Sequence, residues 1–170
     1  HEGVRASASR QTPCRLGRQG LLDEGHSPSA TRRSSGPVTL VLADTSVWVA
    51  HFRSANPVLQ SLVAMDQVLC HPLIVLELAC GTPPAPRERT LGDLKKLQQA
   101  VVATTDEILA LIEKGQLHDS GCGAVDMALL ASVLLTPDTL LWTRDKKLDA
   151  LAARLNVAFS AASHSSPKRT

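Results

Sequence analysis

The 170-residue chain has no tyrosine, and its only aromatic side chains are Trp48, Phe52, Trp142 and Phe159. Four rings are too few for a platform that reads single strands by stacking successive bases. Cysteine is scarce and scattered. Cys14, Cys70, Cys80 and Cys122 form no CxxC pair, which excludes a zinc knuckle or a thioredoxin-like motif and reads as reduced thiols of an intracellular protein. No apolar run approaches the roughly 20 residues of a membrane span, and no continuous hydrophobic signal segment opens the chain. A soluble cytoplasmic protein with no membrane partner is therefore expected. Neither GxGxxG nor GxxxxGK[ST] is present, so the common nucleotide-binding loops are missing too. Net charge is also small. Lys and Arg total 18 against 16 Asp and Glu, a formal +2, which excludes a polycation that holds nucleic acid by bulk charge alone.

That small total hides an uneven distribution. Residues 1–37 hold six arginines (Arg5, Arg10, Arg15, Arg18, Arg32 and Arg33) against Glu2, Asp23 and Glu24, a local charge of +3, and the remaining residues sum to −1. The same segment is rich in Ser, Arg, Gly and Pro with no apolar periodicity, so it is expected to be a disordered basic leader outside the fold. The chain opens with His rather than Met, so the segment reads as translated upstream sequence, a cloning scar or a basic tail. Residues 161–170 read as a disordered tail. Between them, 38–160 is long enough for one domain, and the chain is 44% apolar, enough to build an ordinary core.

The domain begins with Val38–Ala43, an apolar, β-rich run of the kind covered on both faces. A helix follows over Thr45–Arg53, with Asp44 or Thr45 as its cap. Pro57 and Pro72 suit first helical positions, opening helices to about Met65 and to Cys80, with Gln67–Cys70 as a strand between them. Arg87 to about Gln99 reads as an amphipathic helix with the stripe Leu91, Leu94 and Leu97, and Ala100–Thr104 as a short strand. A helix from Thr105 towards Leu117 follows, then the loop HDSGCG. Ala124–Thr136 is apolar on nearly every face, so that helix should be central, ended by Pro137. Leu140–Thr143 is a strand, Lys146–Asn156 a helix and Val157–Phe159 a last strand. Alternation of helices with doubly buried strands predicts an α/β domain with a parallel sheet.

Four acids stand where a core-building sequence would not place charge. Asp44 and Asp145 end strands, Asp126 lies in the first turn of the most apolar helix, and Glu77 sits within LIVLELAC. Ligands in open parallel sheets bind beyond the carboxyl ends of strands, so these acids are candidates for one cleft. Each also has a structural reading. Asp44 and Asp145 can cap the helices that follow them, and Asp126 can complement a helix dipole; Glu77, flanked by Leu76 and Leu78, needs a partner or a water-filled site. Together, four converging carboxylates repel unless cations neutralise them. Oxygen ligands without His or Cys favour Mg²⁺, with Mn²⁺ able to substitute, over Zn²⁺.

The segments VLADTSVWVAHFR, CHPLIVLELACG, GCGAVDMALLASVLL and LLWTRDKKLDALA, in this order and spacing, resemble the PIN-domain ribonucleases, specifically the VapC toxins of bacterial type II toxin–antitoxin pairs. The resemblance spans residues 38 to about 160. It implies a three-layer α/β/α sandwich around a central parallel sheet. It also implies a metal-dependent endoribonuclease with metal-binding acids at Asp44, Glu77, Asp126 and Asp145, the first and third ligating directly and the others acting through bound water. Thr45 or Ser46, and Thr143, match hydroxyl positions that orient ligands, water or phosphate. The implied reaction is hydrolysis of RNA to 3′-hydroxyl and 5′-phosphate ends without a protein nucleophile.

The implied partners are an RNA substrate, a VapB-like antitoxin and a second copy, giving a homodimer and toxin–antitoxin hetero-oligomers. Leu91, Leu94 and Leu97 with Val58, Leu59, Leu62 and Val63 either clamp the antitoxin or complete the core. Arg53, Arg144, Lys146 and Lys147 either hold flanking phosphates or are merely solvated. Trp48 and Trp142 read as core, and His51, His71 and His118 have no ligand-like spacing. The leader is foreign to the family, whose typical start falls near Val38. A phosphatase of another Mg²⁺-dependent α/β fold would want a DxD, and Asp44 is followed by Thr45–Ser46. A catalytically silent RNA- or antitoxin-binding module stays open, although all four acids are present. RNA target, cleavage sequence and number of metal ions are not encoded in any motif.

Overall fold

The computed structural model describes residues 38–161. The leader expected at 1–37, and the tail expected at 161–170 apart from its first residue, lie outside the described residues. Strands β1 (Leu40–Ala43), β2 (Val68–Cys70), β3 (Gln98–Gln99) and β4 (Thr139–Trp142) form a parallel sheet in the order β3-β2-β1-β4. Helices α1 (Thr45–Arg53), α2 (Pro57–Ala64), α3 (Pro72–Cys80), α4 (Arg87–Lys96), α5 (Thr105–Gly115), α6 (Ala124–Leu135) and α7 (Lys146–Arg154) flank it. The architecture is the three-layer α/β/α sandwich that the resemblance implies, around the parallel sheet that the alternation predicts. Val41, Leu42 and Ala43 of β1 and Leu69 and Cys70 of β2 are wholly buried, which is why these strands read as continuous apolar runs.

Local chemistry sets most boundaries. Asn56 caps α2 by accepting from the Val58 and Leu59 N–H groups, with Pro57 at the first helical position. Thr104 and Glu107 form a reciprocal capping box on α5. Helix α6 is buried continuously from Met127 to Val133, with solvent reaching its first residue, Ala124, and its last two, Leu134 and Leu135. Its burial is tied to a polar bridge. His71, 1% exposed, caps α3 by accepting from Leu73 N–H through Nδ1. Its proton therefore sits on Nε2, which donates to Ser132 Oγ of α6 at 3.2 Å.

Four expectations shift. The strand expected at Ala100–Thr104 lies instead at Gln98–Gln99, and α4 stops at Lys96 rather than running to about Gln99. An exposed edge strand of two glutamines pairs through its backbone alone, so no apolar alternation announces it. After Ala100 N–H donates to Cys70 O, the backbone turns to side-chain acceptors on and just beyond α6: Val101 N–H to Thr136 Oγ1 and Ala103 N–H to Ser132 Oγ. The last strand, Val157–Phe159, is reduced to a parallel bridge between Ala158 and Leu141. Val38 and Thr39 precede β1 rather than belonging to it.

Candidate active site

The strand order reverses at β1. Its chain partner β2 lies on one side and β4, reached only after six helices, on the other, and the crevice at their carboxyl ends is where such sheets hold ligands. Asp44 stands there. Its N–H still pairs with Trp142 O at 2.9 Å, so the carboxylate leaves the sheet at a fixed point and is only 7% exposed. A charge so buried requires several donors, and it has them. Oδ1 accepts from Thr45 N–H at 2.6 Å. Oδ2 accepts from Ser46 Oγ at 2.7 Å and from the buried Thr143 Oγ1 at 2.8 Å.

Both hydroxyls act twice. Ser46 Oγ accepts from Arg144 N–H at 2.9 Å, and Thr143 Oγ1 accepts from Asp145 N–H at 3.0 Å. The loops after β1 and β4 are thereby laced together around one carboxylate. Asp44 also caps α1, so the structural reading and the site reading of this residue coexist. Of the two hydroxyls following it, Ser46 serves Asp44 and Thr45 reaches across the cleft, donating through Oγ1 to Glu77 Oε2 at 2.6 Å.

Glu77 differs from the picture of a charge embedded in an apolar helix. It lies on the exposed face of α3 beside Leu76, which is itself 57% exposed. Its charge is therefore hydrated, and Thr45 holds one of its oxygens. Asp145 caps α7, accepting from Lys147 N–H at 2.7 Å and Leu148 N–H at 3.0 Å. The Leu148 N–H above all, then the Lys147 N–H and the Lys147 ammonium, hold its carboxyl below the usual carboxylate range. Asp126, in the first turn of α6, accepts from Gly123 N–H at 2.7 Å.

Cys122 connects these last two acids. Burial pushes its thiol pKa up first, the Asp126 and Asp145 charges push it further, and Ser120 and the Lys147 ammonium oppose them. Burial and the two negative charges together keep the thiol protonated. Lys147 closes the same corner over Gly121, whose φ of +74° favours glycine. Neither Cys122 nor this lysine–glycine contact was read from the sequence as a site feature. A glycine pair around a cysteine, GCG, was the one signal for it.

Hydrogen bonds therefore join Asp44 to Glu77 through Thr45 and to Asp145 through Thr143. Asp126 shares the Cys122 environment with Asp145. Among the described residues no three His, Cys, Asp or Glu side chains are arranged to hold a metal ion; the acids rest on N–H and O–H donors. The donor set is carboxylate and hydroxyl, with Cys122 kept as a thiol, and this chemistry fits a hard divalent cation. His51 accepts from Asn56 N–H and His71 from Leu73 N–H, while His118 is exposed beside Asp119.

Comparison with known proteins shows the family. A model of the PIN domain family matches residues 41–154, which contain all four acids. Two relatives, both named Ribonuclease VapC32, from Mycobacterium tuberculosis strains CDC 1551 / Oshkosh and ATCC 25618 / H37Rv, are each 44% identical over 121 residues, 71% of this chain and 97% of theirs. Among solved structures, the crystal structure of PAE2754 from Pyrobaculum aerophilum aligns with a TM-score of 0.46 at 16% identity, over 77% of this chain and 99% of that one. On the parallel sheet, the acid at the end of β1, the family model and the two 44% identical relatives, the chain belongs to the PIN-domain family, as a protein of the VapC type.

Proposed function

We propose that this chain is the toxin of a type II toxin–antitoxin pair, an Mg²⁺-dependent endoribonuclease in which Mn²⁺ can substitute. Asp44, Glu77, Asp126 and Asp145 would hold the metal. The observation that carries the reading is the Asp44 carboxylate, buried at the switch point of the sheet and held by Thr45, Ser46 and Thr143. The name of its 44% identical relatives, a ribonuclease, supports the choice of chemistry. A divalent cation bound there supplies a water of lowered pKa and charge stabilisation for the leaving oxygen of a phosphodiester.

The protein's own part is positioning. Ser46 and Thr143 fix the plane of Asp44, and Thr45 restrains Glu77 through Oε2. The N–H groups of Lys147 and Leu148 keep Asp145 ionised to low pH. Hydrolysis leaving 3′-hydroxyl and 5′-phosphate ends is the reaction that the resemblance to PIN-domain ribonucleases implies for this set. Among the described residues no helix is long and apolar enough to cross a membrane, and a cytoplasmic location suits an RNA substrate.

The catalytic unit is residues 38–160, with 1–37 and 161–170 outside it. A groove of about 440 Å³ between α1, α2 and α4, lined by Trp48, Phe52, Leu59, Val63, Leu94 and Leu97, suits the apolar part of a VapB-like antitoxin segment, and a second copy completes a homodimer. Incubation of the purified protein with an RNA pool tests the activity: cleavage in Mg²⁺ or Mn²⁺ is expected, with none in EDTA and none by Asp126→Asn. Equal cleavage by wild type and variant would sink the assignment, and RNA binding without cleavage would favour a silent binding module.

A further inference from the structure

A second groove, of about 630 Å³, opens beside the acids, between the carboxyl-terminal half of α1, the turn that leads into Pro57 and the β4–α7 loop. Two of its walls carry arginine, Arg53 and Arg144, and the rest of its lining is uncharged, from Ser46 and Val49 on α1 to Asn56 and Pro57 at the start of α2. It is continuous with the acidic site. Ser46 lines it and donates to Asp44, and the Arg144 N–H is pinned to Ser46 Oγ.

The two arginines differ from the others described. Arg87 donates to the carbonyls of Ala79 and Gly81, Arg154 to Gly115 O, and Arg89 faces Asp93 at 3.8 Å. The guanidinium groups of Arg53 and Arg144 have no hydrogen bond or ion pair among the described residues. A cation in the last turn of α1 gains from the helix dipole, but the Ala50 carbonyl there is taken by Ser54 N–H, and Arg53 leaves its guanidinium donors open. Two unspent guanidinium forks in one groove without a carboxylate match phosphate, which each can hold bidentately.

We propose that this groove is a phosphate track in which Arg53 and Arg144 hold the RNA strand on one side of the bond cleaved at Asp44. Lys147 is placed elsewhere, over Gly121, and has no part in it. The track offers no aromatic platform, so it reads backbone rather than base; selectivity for sequence lies elsewhere in the cleft. The role as a substrate track rests on the ribonuclease reading, but the binding it describes can be measured without turnover.

The test is fluorescence anisotropy of a labelled single-stranded RNA dodecamer of mixed sequence. It is measured in Mg²⁺ over a range of salt, in the Asp126→Asn background, which keeps an oxygen for Gly123 N–H. Arg53→Ala and Arg144→Ala should each weaken binding about 3- to 10-fold. Each should also flatten the plot of log affinity against log salt by about 0.7, the slope carried by one neutralised phosphate of a single strand. Arg89→Ala should do neither. Unchanged affinity and slope in both variants would overturn the proposal. So would unchanged RNA binding with weakened binding of a polyglutamate probe, which would assign the groove to an acidic protein segment. If wild type cleaves no RNA yet the slopes still fall, the track stands and the cleavage reading fails; if wild type cleaves and the slopes hold, the reverse follows.

Discussion

Replacing Thr143 by valine keeps the shape and β-branching of the side chain and removes one oxygen. That oxygen donates to Asp44 Oδ2 at 2.8 Å and accepts from Asp145 N–H at 3.0 Å. The first bond is to a charged group in a nearly closed site and is worth about 1.5–3 kcal/mol. The second opens towards solvent, where water can replace the missing acceptor at little cost. A net loss of about 2 kcal/mol is therefore expected, a fall in melting temperature of about 6–10 °C for a domain of this size. Urea unfolding followed by circular dichroism should show a lower midpoint with an unchanged slope. Thr143→Ser retains both bonds and should lose no more than about 1 kcal/mol for its missing methyl. Ser46→Ala removes the other hydroxyl on the same oxygen, so the Thr143→Val and Ser46→Ala double variant should be non-additive by at least about 0.5 kcal/mol. A Thr143→Val loss below about 0.5 kcal/mol, or strict additivity, would refute the claim that these hydroxyls jointly hold Asp44.

Other consequences follow from the surroundings of the site. Asp126→Asn should lower the Cys122 thiol pKa, because the Asp126 charge is one of the causes that raise it; the pH profile of iodoacetamide labelling at Cys122, read by peptide mass spectrometry, should move to lower pH, and an unmoved profile would separate the carboxylate from the thiol. Burial holds the His71 pKa below its ordinary value. As pH falls below about 6.5 the unfolded chain binds a proton that the folded chain refuses, so stability is lost on acidification. Compared with His71→Asn, which can still cap α3, wild type should lose up to about 1.2 kcal/mol more between about pH 7 and about pH 5.5. Equal losses in urea titrations would place no buried neutral imidazole there. A chain beginning at Val38 should keep its melting temperature and its RNA cleavage, and loss of either would make the leader part of the domain.

Much of this site is legible in the sequence because its residues do two jobs with local signatures. Asp44 and Asp145 each follow a buried strand and each start a helix, so the change from apolar run to capping acid marks both the element boundary and the cleft. Pro57, Pro72 and the Thr104–Glu107 pair announce helix starts in the same way. What is hidden is whatever depends on long-range partners. The Gln98–Gln99 strand is defined by backbone pairing to β2, and the stretch after it by hydroxyls of Ser132 and Thr136, 29 and 35 residues away from the N–H groups they accept. Glu77 looks buried by its neighbours and is exposed because α3 turns that face to the cleft. The division of labour between Thr45 and Ser46 is likewise set by where Glu77 and Arg144 arrive, which no adjacent residue encodes.

Carboxylates, and no protein nucleophile or ribose hydroxyl, direct the cut in the mechanism proposed for this site. The chemistry of the new RNA ends tests that claim most directly. Products made by the wild-type protein in Mg²⁺ should carry 5′-phosphates, open to ligation without kinase treatment, and 3′-hydroxyls, open to poly(A) extension without phosphatase treatment. Fragments ending in 2′,3′-cyclic phosphate with 5′-hydroxyls, formed equally in EDTA, would contradict it.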